Sequence, residues 1–281
     1  MTGFRLPPHA SRIERLWRAA FLVICGAVLL FLISPILAVM PLSFNQSKFF
    51  TYPMPGLSLQ WYREFFTNAR WIDSVVMSLQ VASCVTIIAT TLGILASLGL
   101  SRLNMRGKAA IIAMLLMPMI VPVIISAVGM YFFYVSLGIL NITWAPIGLI
   151  LAHTALASPF VVISVTATLS GFDYNLMRAG ASLGAPPTTV FFKVVMPLIL
   201  PGVISGALFA FVTSFDEVVV AVFLASPEQR TLPKQMFNGI RENINPTITA
   251  AATLLILVSV ALLTSLELLR RRQERLRGIR G

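Results

Sequence analysis

Two adjacent acidic residues, Asp216 and Glu217, lie inside the apolar run from Phe209 to Phe223. A carboxylate deep in a membrane helix costs roughly 2.5 to 3.5 kcal/mol on insertion scales, so such a pair indicates a function. Thr213 precedes Asp216 by three residues and Glu217 by four, and on one continuous helix all three would border one polar stripe. Carboxylates beside aromatic rings suit an organic ammonium, through ion pairing and cation–π attraction. The residues predicted to line a substrate path are Phe211, Thr213, Phe215, Asp216 and Glu217.

A structural role for these polar groups is the alternative. One carboxylate would then pair with a basic side chain elsewhere in a complex and hold helices together. His153 lies in another apolar run, and two roles are open for it: a neutral side chain that packs between helices, or a proton relay. The two cysteines, Cys25 and Cys84, fall inside apolar runs, where a thiol behaves as a small hydrophobe. No metal site or disulfide is therefore predicted.

The composition requires these residues to be positioned by a membrane domain. Of 281 residues, 57% are hydrophobic and 11% charged, with a mean hydropathy of +0.88, whereas a soluble domain carries roughly 25% charged residues. The segment from Ala109 to Phe172 contains no Asp, Glu, Lys or Arg. The net charge of +11 could suggest a nucleic-acid binder, but the basic residues lie at the chain ends and beside the apolar runs. Membrane topology explains that placement better, and no nucleic-acid partner is expected.

Six apolar runs are each long enough for a helix of about 20 residues to cross the hydrocarbon core. The sequence therefore predicts an all-α, polytopic helix bundle with about six transmembrane helices. An N-terminal cytoplasmic segment, 1–16, precedes a membrane domain, 17–269, and a basic cytoplasmic tail, 270–281, follows it. The predicted spans are 17–41, 74–100, 109–136, 146–169, 198–225 and 247–269.

The distribution of basic residues predicts the orientation. Fifteen Lys and Arg residues fall on the side that holds both termini, and six fall on the other. By the positive-inside rule both termini are cytoplasmic. The connections 42–73 and 226–246 then lie outside, and the connections 101–108 and 170–197 lie inside.

Two prolines, Pro118 and Pro122, lie within the third predicted span. They predict either an ordinary kink or a discontinuity that lines the transport pathway. In the fifth span, Gly202 and Gly206 form a GxxxG pair that predicts close contact with another helix. The outer connection 42–73 combines turn formers with aromatics and is expected to be ordered at the interface.

The inner connection 170–197 is far longer than the usual 4 to 6 residues, which indicates more than a solvated connector. Small residues over 179–184 would let a short helix approach another backbone closely, and Pro186-Pro187 would end or restart it. After the prolines, three apolar residues at helical spacing form a face that a partner would bury. These are Val190, Phe191 and Val194.

This connection resembles the coupling loop of ABC-importer permeases, the EAA loop. Ala179, Gly184 and Pro197 are in register with its pattern, whereas Arg178 replaces the usual Glu and Gly180 the second Ala. The resemblance implies docking on an ATPase, but the contact that a glutamate would make cannot be carried over to Arg178. The residues implied to couple to the ATPase are Arg178, Ala179, Gly180, Gly184, Ala185, Val194 and Pro197.

Three stretches, 56–62, 214–219 and 230–233, look like the spermidine/putrescine-type branch of these permeases. The resemblance implies a type I ABC-importer fold in a bacterial inner membrane and transport of a small cationic solute, most of all a polyamine. It also implies a second, different permease subunit, two cytoplasmic ATPases that bind ATP and Mg, and an external solute-binding protein. The chain has no G-x-x-x-x-G-K-[ST] phosphate loop, so ATP hydrolysis would belong to a partner, and no cofactor or enzymatic activity is expected in this chain.

Other functions remain open at this level. The permease could carry another small nitrogenous or organic solute. An ion-coupled secondary transporter could instead use Asp216, Glu217 or His153 and work without an ATPase. An intramembrane enzyme is disfavoured because no nucleophile and base pair is evident.

Overall fold

The computed structural model describes residues 11–101, 107–138, 146–242 and 244–276. Within these ranges the chain is helical apart from turns, loops and one isolated antiparallel bridge, between Asn45 and Leu57. The helices are α1 (Arg12–Leu42), α2 (Gln60–Thr67), α3 (Ala69–Ser101), α4 (Lys108–Ile120), α5 (Val123–Ser136), α6 (Ile147–Leu169), α7 (Asn175–Ser182), α8 (Pro187–Val190), α9 (Met196–Asp216), α10 (Val219–Leu224), α11 (Leu232–Glu242) and α12 (Thr247–Leu276). A π-helical segment, Phe191–Val195, joins α8 to α9. The predicted all-α class is confirmed.

Four of the described helices are long and apolar enough to cross a membrane: α1, α3, α6 and the continuous helix Pro187–Asp216. Helices α4 and α5 make a fifth if the bent pair is one span. The sixth predicted span falls on α12, whose described apolar part, Thr247–Leu262, is shorter than the other spans. The structure thus contains four or five candidate spans by length and composition, and the sixth stays a prediction.

Helix α1 begins five residues before the predicted first span, because Ser11 caps it. The Ser11 hydroxyl accepts a hydrogen bond from the N–H of Glu14 at 3.2 Å, and the Glu14 carboxylate accepts one from the N–H of Ser11 at 2.9 Å. This reciprocal capping box satisfies two of the free amides that every helix start exposes. None of the residues of α1 is buried within the described part of the chain.

The chain divides into two compact units, residues 1–65 with 245–254 and residues 66–244 with 255–281. In the first unit the connection after α1 is ordered by hydrogen bonds. The indole N–H of Trp61 donates to the carbonyl oxygen of Asn45 at 2.6 Å, and the Ser43 and Tyr62 hydroxyls are 2.7 Å apart. Because Trp61 is buried, it packs this turn together.

The core of the second unit is formed by α3, α6 and α9, which pack against one another in pairs. Helices α5 and α10 pack together and complete the same apolar cluster. Its most deeply buried members are small or β-branched, which permits close helix approach. They include Val85, Ala89, Ala152, Ala157, Val161, Val165, Ala210, Val220 and Ala221.

Two glycines of α9 lie directly against α6, as the GxxxG spacing predicts. A Cβ atom placed on Gly206 would lie 2.9 Å from the Cα of Val161, and one on Gly202 would lie 2.7 Å from the carbonyl oxygen of Ser164. These distances are shorter than real Cβ contacts, so any side chain at either position would force the helices apart.

The predicted third span is not one continuous helix. Helix α4 ends at Ile120, Val121 is extended with φ −69° and ψ 134°, and α5 begins after Pro122 at an angle of 101° to α4. Pro122 cannot donate a backbone hydrogen bond and disfavours the helical region for Val121, so the chain breaks here. Of the two alternatives that the prolines left open, the structure shows a break between two helices and not a kink within one.

The helix that occupies the predicted fifth span, 198–225, begins and ends at other residues than that range. It already begins at Pro187 on the predicted inner side, because Pro187 occupies the first helical turn, where its missing N–H costs nothing. It ends at Asp216, and the remaining residues form the separate helix α10.

Candidate substrate path and coupling elbow

Asp216 is the last residue of α9, where the helix stops inside an otherwise apolar segment. Its side chain is exposed, and within the described residues its carboxylate makes no hydrogen bond or ion pair. The C-terminal end of a helix carries free carbonyl groups and a partial negative charge. The carboxylate and the helix end therefore act in the same direction, and both favour a cation at this point.

Glu217 has a different environment from the one that the sequence predicted. Its backbone is extended, with φ −75° and ψ 115°, so it is not on a helical stripe with Thr213 and Asp216. Its Oε1 accepts hydrogen bonds from the N–H of Val219 at 2.8 Å and of Val220 at 3.1 Å. Glu217 thus caps the start of α10, and the prediction of one polar stripe with both carboxylates is wrong because the helix breaks between them.

The aromatic residues of the predicted path lie on the last turns of α9. The rings of Phe211 and Phe215 stack with centroids 5.6 Å apart and an interplanar angle of 12°. Both side chains are half-buried, as is that of Thr213. The structure therefore keeps Phe211, Thr213, Phe215 and Asp216 on the last two turns of one helix.

The interrupted parts of the two broken spans lie together. Helix α10, which follows the break at Asp216, packs against α5, which follows the break at Pro122. Interrupted helices in a membrane leave backbone groups without internal partners, and these are tolerated where the protein buries them or where they line a water-filled cavity. The helices that follow the two breaks are thus in contact within the second unit.

His153 was not among the predicted path residues, and the structure brings it to this region. Its Nδ1 lies 3.0 Å from Oγ of Ser214, between α6 and α9. The side chains of His153 and Ser214 are 1% and 4% exposed. The pairing spans 61 residues of sequence, so spacing along the chain gave no signal for it.

Most of the predicted coupling residues lie in a helix–turn–helix elbow, α7 to α8, whereas Val194 lies in the π-helical segment and Pro197 in α9. The N–H of Ala185 donates to the carbonyl of Gly180 at 3.2 Å, and the N–H of Gly184 donates to that of Ala181 at 2.9 Å. These two bonds form a Schellman motif, which needs a left-handed residue after the helix end. Gly184 supplies it with φ +80°, which explains why the pattern has glycine here.

Gly180 allows the two arms of this elbow to approach closely. A Cβ atom on Gly180 would lie 3.1 Å from Cγ2 of Val190. Val190 is 5% exposed, and Phe191 and Val194 are half-buried, so much of the predicted docking face already packs within this chain. The expectation that a partner must bury Val190 is therefore wrong, and a side chain longer than glycine at position 180 would push against α8.

The surface of the elbow consists of other side chains. Arg178, Ala179 and Pro197 are exposed, whereas Ala185 and Val194 are half-buried. Leu183, at the turn, is 88% exposed, and it is absent from the predicted coupling residues. Behind the elbow is a cavity of about 310 Å³, lined by Leu98, Met177, Ala181, Ala185, Pro187, Val190, Phe191 and Val195.

On the predicted outer side, Lys234 of α11 is half-buried beside the end of α10. Its ammonium donates a hydrogen bond of 2.6 Å to the carbonyl oxygen of Ala225. Burial lowers the pKa of Lys234, and the nearby charge of Arg230 lowers it further. Both effects oppose the charged form of the lysine.

The family model described as "Binding-protein-dependent transport system inner membrane component" matches residues 89–277. Over 255 residues the chain is 32% identical to the spermidine/putrescine transport system permease protein PotC of Haemophilus influenzae, covering 91% of this chain and 96% of that protein. Over 245 residues it is 34% identical to the putrescine transport system permease protein PotI of Escherichia coli, covering 85% of each.

The fold is similar to that of solved transporters. A chain in the crystal structure of a bacterial ABC transporter that imports the polysaccharide alginate superposes with a TM-score of 0.71 at 15% identity, over 94% of this chain and 99% of that one. A second structure, of an alginate transporter in complex with an alginate pentasaccharide-bound periplasmic protein, gives a TM-score of 0.69 at 15% identity, over 92% and 96% of the two chains. At this identity the likeness concerns the fold.

Proposed function

This chain belongs to the family of binding-protein-dependent transport system inner membrane components, and we propose that it is a permease subunit of an ATP-driven importer of polyamines such as spermidine or putrescine. The proposal draws its solute from the relatives, which are spermidine/putrescine and putrescine permeases and match nearly the whole chain. The observation that carries it within the chain is the exposed Asp216 carboxylate at the C-terminal end of an interrupted apolar helix.

In this proposal Asp216 contacts an ammonium group of the solute on its way through the membrane. The partial negative charge at the end of α9 adds to the attraction, and the stacked rings of Phe211 and Phe215 offer faces to the alkyl chain or the ammonium. Glu217 contributes indirectly, because its carboxylate holds the start of α10. Thr213, about one turn before Asp216 on α9, supplies a hydroxyl at the same end.

The assembly proposed for the chain contains a second, different permease subunit, two cytoplasmic ATPases with ATP and Mg, and a periplasmic solute-binding protein. Both termini of the chain would then be cytoplasmic, as the basic residues predict. The elbow α7–α8 would dock on an ATPase through exposed groups such as Arg178, Ala179 and Leu183. This chain would bind no nucleotide and catalyse no reaction itself.

Radiolabelled spermidine uptake tests the proposal in a host that lacks its own polyamine importers and expresses this chain with its co-encoded partners. Loss of a charge-assisted contact weakens binding by roughly 1.5 to 3 kcal/mol, so we expect Asp216→Asn to raise the KM for spermidine at least about tenfold. Asp216→Glu, which keeps the charge, should recover part of the affinity.

Glu217→Gln serves as the neighbouring control. It weakens a helix cap, and we expect it to lower the amount of assembled complex while leaving the KM of the surviving complex nearly unchanged. An unchanged KM in Asp216→Asn would remove Asp216 from the path. The assignment of the solute would be overturned if the complex transported neither polyamine and the co-encoded binding protein retained another solute.

The coupling elbow is tested separately by co-purification. Deletion of 178–187 should abolish capture of the ATPase subunits without preventing insertion of the chain into the membrane. Capture that survives this deletion would place the ATPase contact outside the elbow. Transport by the chain without any ATPase would instead favour an ion-coupled transporter.

A further inference from the structure

Helix α9 contacts α6 through one residue in every four. Gly202, Gly206, Ala210 and Ser214 follow one another at this spacing, and all four are buried. The first two let the backbones approach closely, with a Cβ on Gly206 only 2.9 Å from Cα of Val161. Small residues at this spacing allow two helices to lie in direct backbone contact.

Ser214 is the polar end of this row, and it meets the polar side chain of His153. The antiparallel register that places Val161 against Gly206 also places His153 against Ser214, and their Nδ1 and Oγ atoms are 3.0 Å apart. Either the ring N–H donates to the hydroxyl or the hydroxyl donates to the ring nitrogen. At 1% and 4% exposure, neither partner can exchange this bond for one to bulk solvent.

The hydrogen bond between His153 and Ser214 lies two residues before the end of α9. Asp216 follows Ser214 by two residues, and the helix ends there. The last turn of a helix has no following turn to hold it, so side contacts decide how far it frays. For α9 these contacts include its packing on α3, the close packing on α6 and the His153 hydrogen bond.

We propose that His153 is a positioning residue for solute passage: its hydrogen bond to Ser214 holds the last turn of α9 on α6 and thereby fixes the Asp216 carboxylate on the substrate path. His153 itself does not touch the solute. This inference rests on the proposed function, because it assumes that Asp216 contacts the solute.

The two ring nitrogens of His153 make the inference testable. Nδ1 bonds to Ser214, whereas Nε2 has no hydrogen-bond partner among the described residues. Asparagine places a polar atom near the position of Nδ1 and has none near Nε2, and glutamine does the reverse. Leucine has a similar volume to histidine but has no polar atom near either ring-nitrogen position.

The experiment is spermidine uptake by the complete complex, with KM and maximal rate measured separately and divided by the amount of assembled complex in the membrane. We expect His153→Leu, His153→Gln and Ser214→Ala each to raise the KM about fivefold, as loss of one buried hydrogen bond predicts. His153→Asn should restore most of the affinity lost in His153→Leu. Because both groups act through one bond, the double variant His153→Leu/Ser214→Ala should be no worse than either single variant.

A matched control is Ser158→Ala, also on α6. The Ser158 hydroxyl donates to the carbonyl of Thr154 in its own helix at 2.6 Å. Among the described residues it bonds to no second helix, so its loss should leave the KM unchanged. A purely structural His153 would show a smaller amount of complex with a normal KM in every variant, and that result would overturn the inference. So would full function in His153→Gln with loss in His153→Asn, because the working atom would then be Nε2.

Asp216→Asn in the same assay separates the two proposals. If Asp216→Asn raises the KM and the His153 and Ser214 variants do not, only the positioning role fails. If Asp216→Asn leaves the KM unchanged, the substrate path is wrong and the positioning role fails with it.

Discussion

The backbone N–H of Leu232, at the start of α11, donates a hydrogen bond of 2.8 Å to the hydroxyl of Ser78 on α3. The two residues are 154 positions apart, and both are buried. Free N–H groups at a helix start are usually capped by a nearby residue in the chain, whereas here another helix provides the cap. Ser78 therefore ties α11 to the core of the second unit.

Replacing Ser78 by alanine should destabilise the complex, because the N–H of Leu232 would stay buried without a partner. Such a loss costs about 1 to 3 kcal/mol. We expect a lower unfolding temperature of the purified complex by differential scanning fluorimetry. Ser74→Ala is the matched control: Ser74 is equally buried one turn away, but its hydroxyl donates to Arg70 in its own helix. Equal effects of the two substitutions would show that the contact with α11 is unimportant.

Helix contact at Gly206 should not tolerate even one methyl group. We expect Gly206→Ala to destabilise the complex by roughly 1 to 3 kcal/mol, because the added Cβ meets backbone of α6 that cannot rotate away. Thermal unfolding and the yield of assembled complex measure the effect. Gly99→Ala on α3 adds the same methyl group where no atom of the described residues lies within 4 Å, and it should be neutral or stabilising. A stable Gly206→Ala complex would contradict the close α6–α9 contact.

The turn of the coupling elbow should depend on glycine at position 184. A side chain in the left-handed region costs roughly 1 to 2 kcal/mol, so Gly184→Ala should reorient the elbow, reducing ATPase capture and spermidine uptake. Gly184→Asn should be milder, since asparagine adopts this region more readily. The comparison is Gly171→Ala, where φ is not positive and an added Cβ would meet no atom of the described residues within 4 Å. Normal coupling in Gly184→Ala would mean that the turn geometry is not required.

Lys234 gives the complex a pH dependence whose sign follows from its lowered pKa. The folded chain binds this proton less well than the unfolded chain, so protonation opposes folding, and the penalty is fully present below the folded pKa. As the pH rises through the folded pKa towards the ordinary value of 10.5, the penalty is lost and stability increases.

Lys234→Met removes this titration. Thermal unfolding measured from neutral pH to about pH 10 should therefore show a less positive slope in the variant than in the wild type. The loss of the hydrogen bond to Ala225 shifts both ends of the curve alike, so the slope isolates the ionisation. Parallel curves would contradict a perturbed Lys234.

The lengths of the apolar runs predicted where the long helices lie, because whether a segment can cross the hydrocarbon core depends only on its own length and composition. Pro118 and Pro122 marked the place where the third span is interrupted, since proline acts on its own neighbours, but they left a kink and a full break as alternatives. The break after Asp216 escaped the same reasoning, because no proline or glycine marks it and the capping by Glu217 depends on side-chain geometry. The pair His153–Ser214 was equally hidden, because it exists only through the register of two packed helices.

The π-helical segment Phe191–Val195 lies between the elbow and α9, so the direction in which the elbow faces depends on how this segment turns the chain. A π turn accommodates one more residue than an α turn, and each residue of an α-helix turns the chain by about 100°. Removing a single residue from this segment would turn the wide turn into an ordinary α turn and leave the elbow facing nearly the same way. Removing one residue from the regular part of α9 would instead swing everything before it around the axis by that angle. Arg178 and Leu183 would then face a different direction, although every residue of the elbow itself would be unchanged.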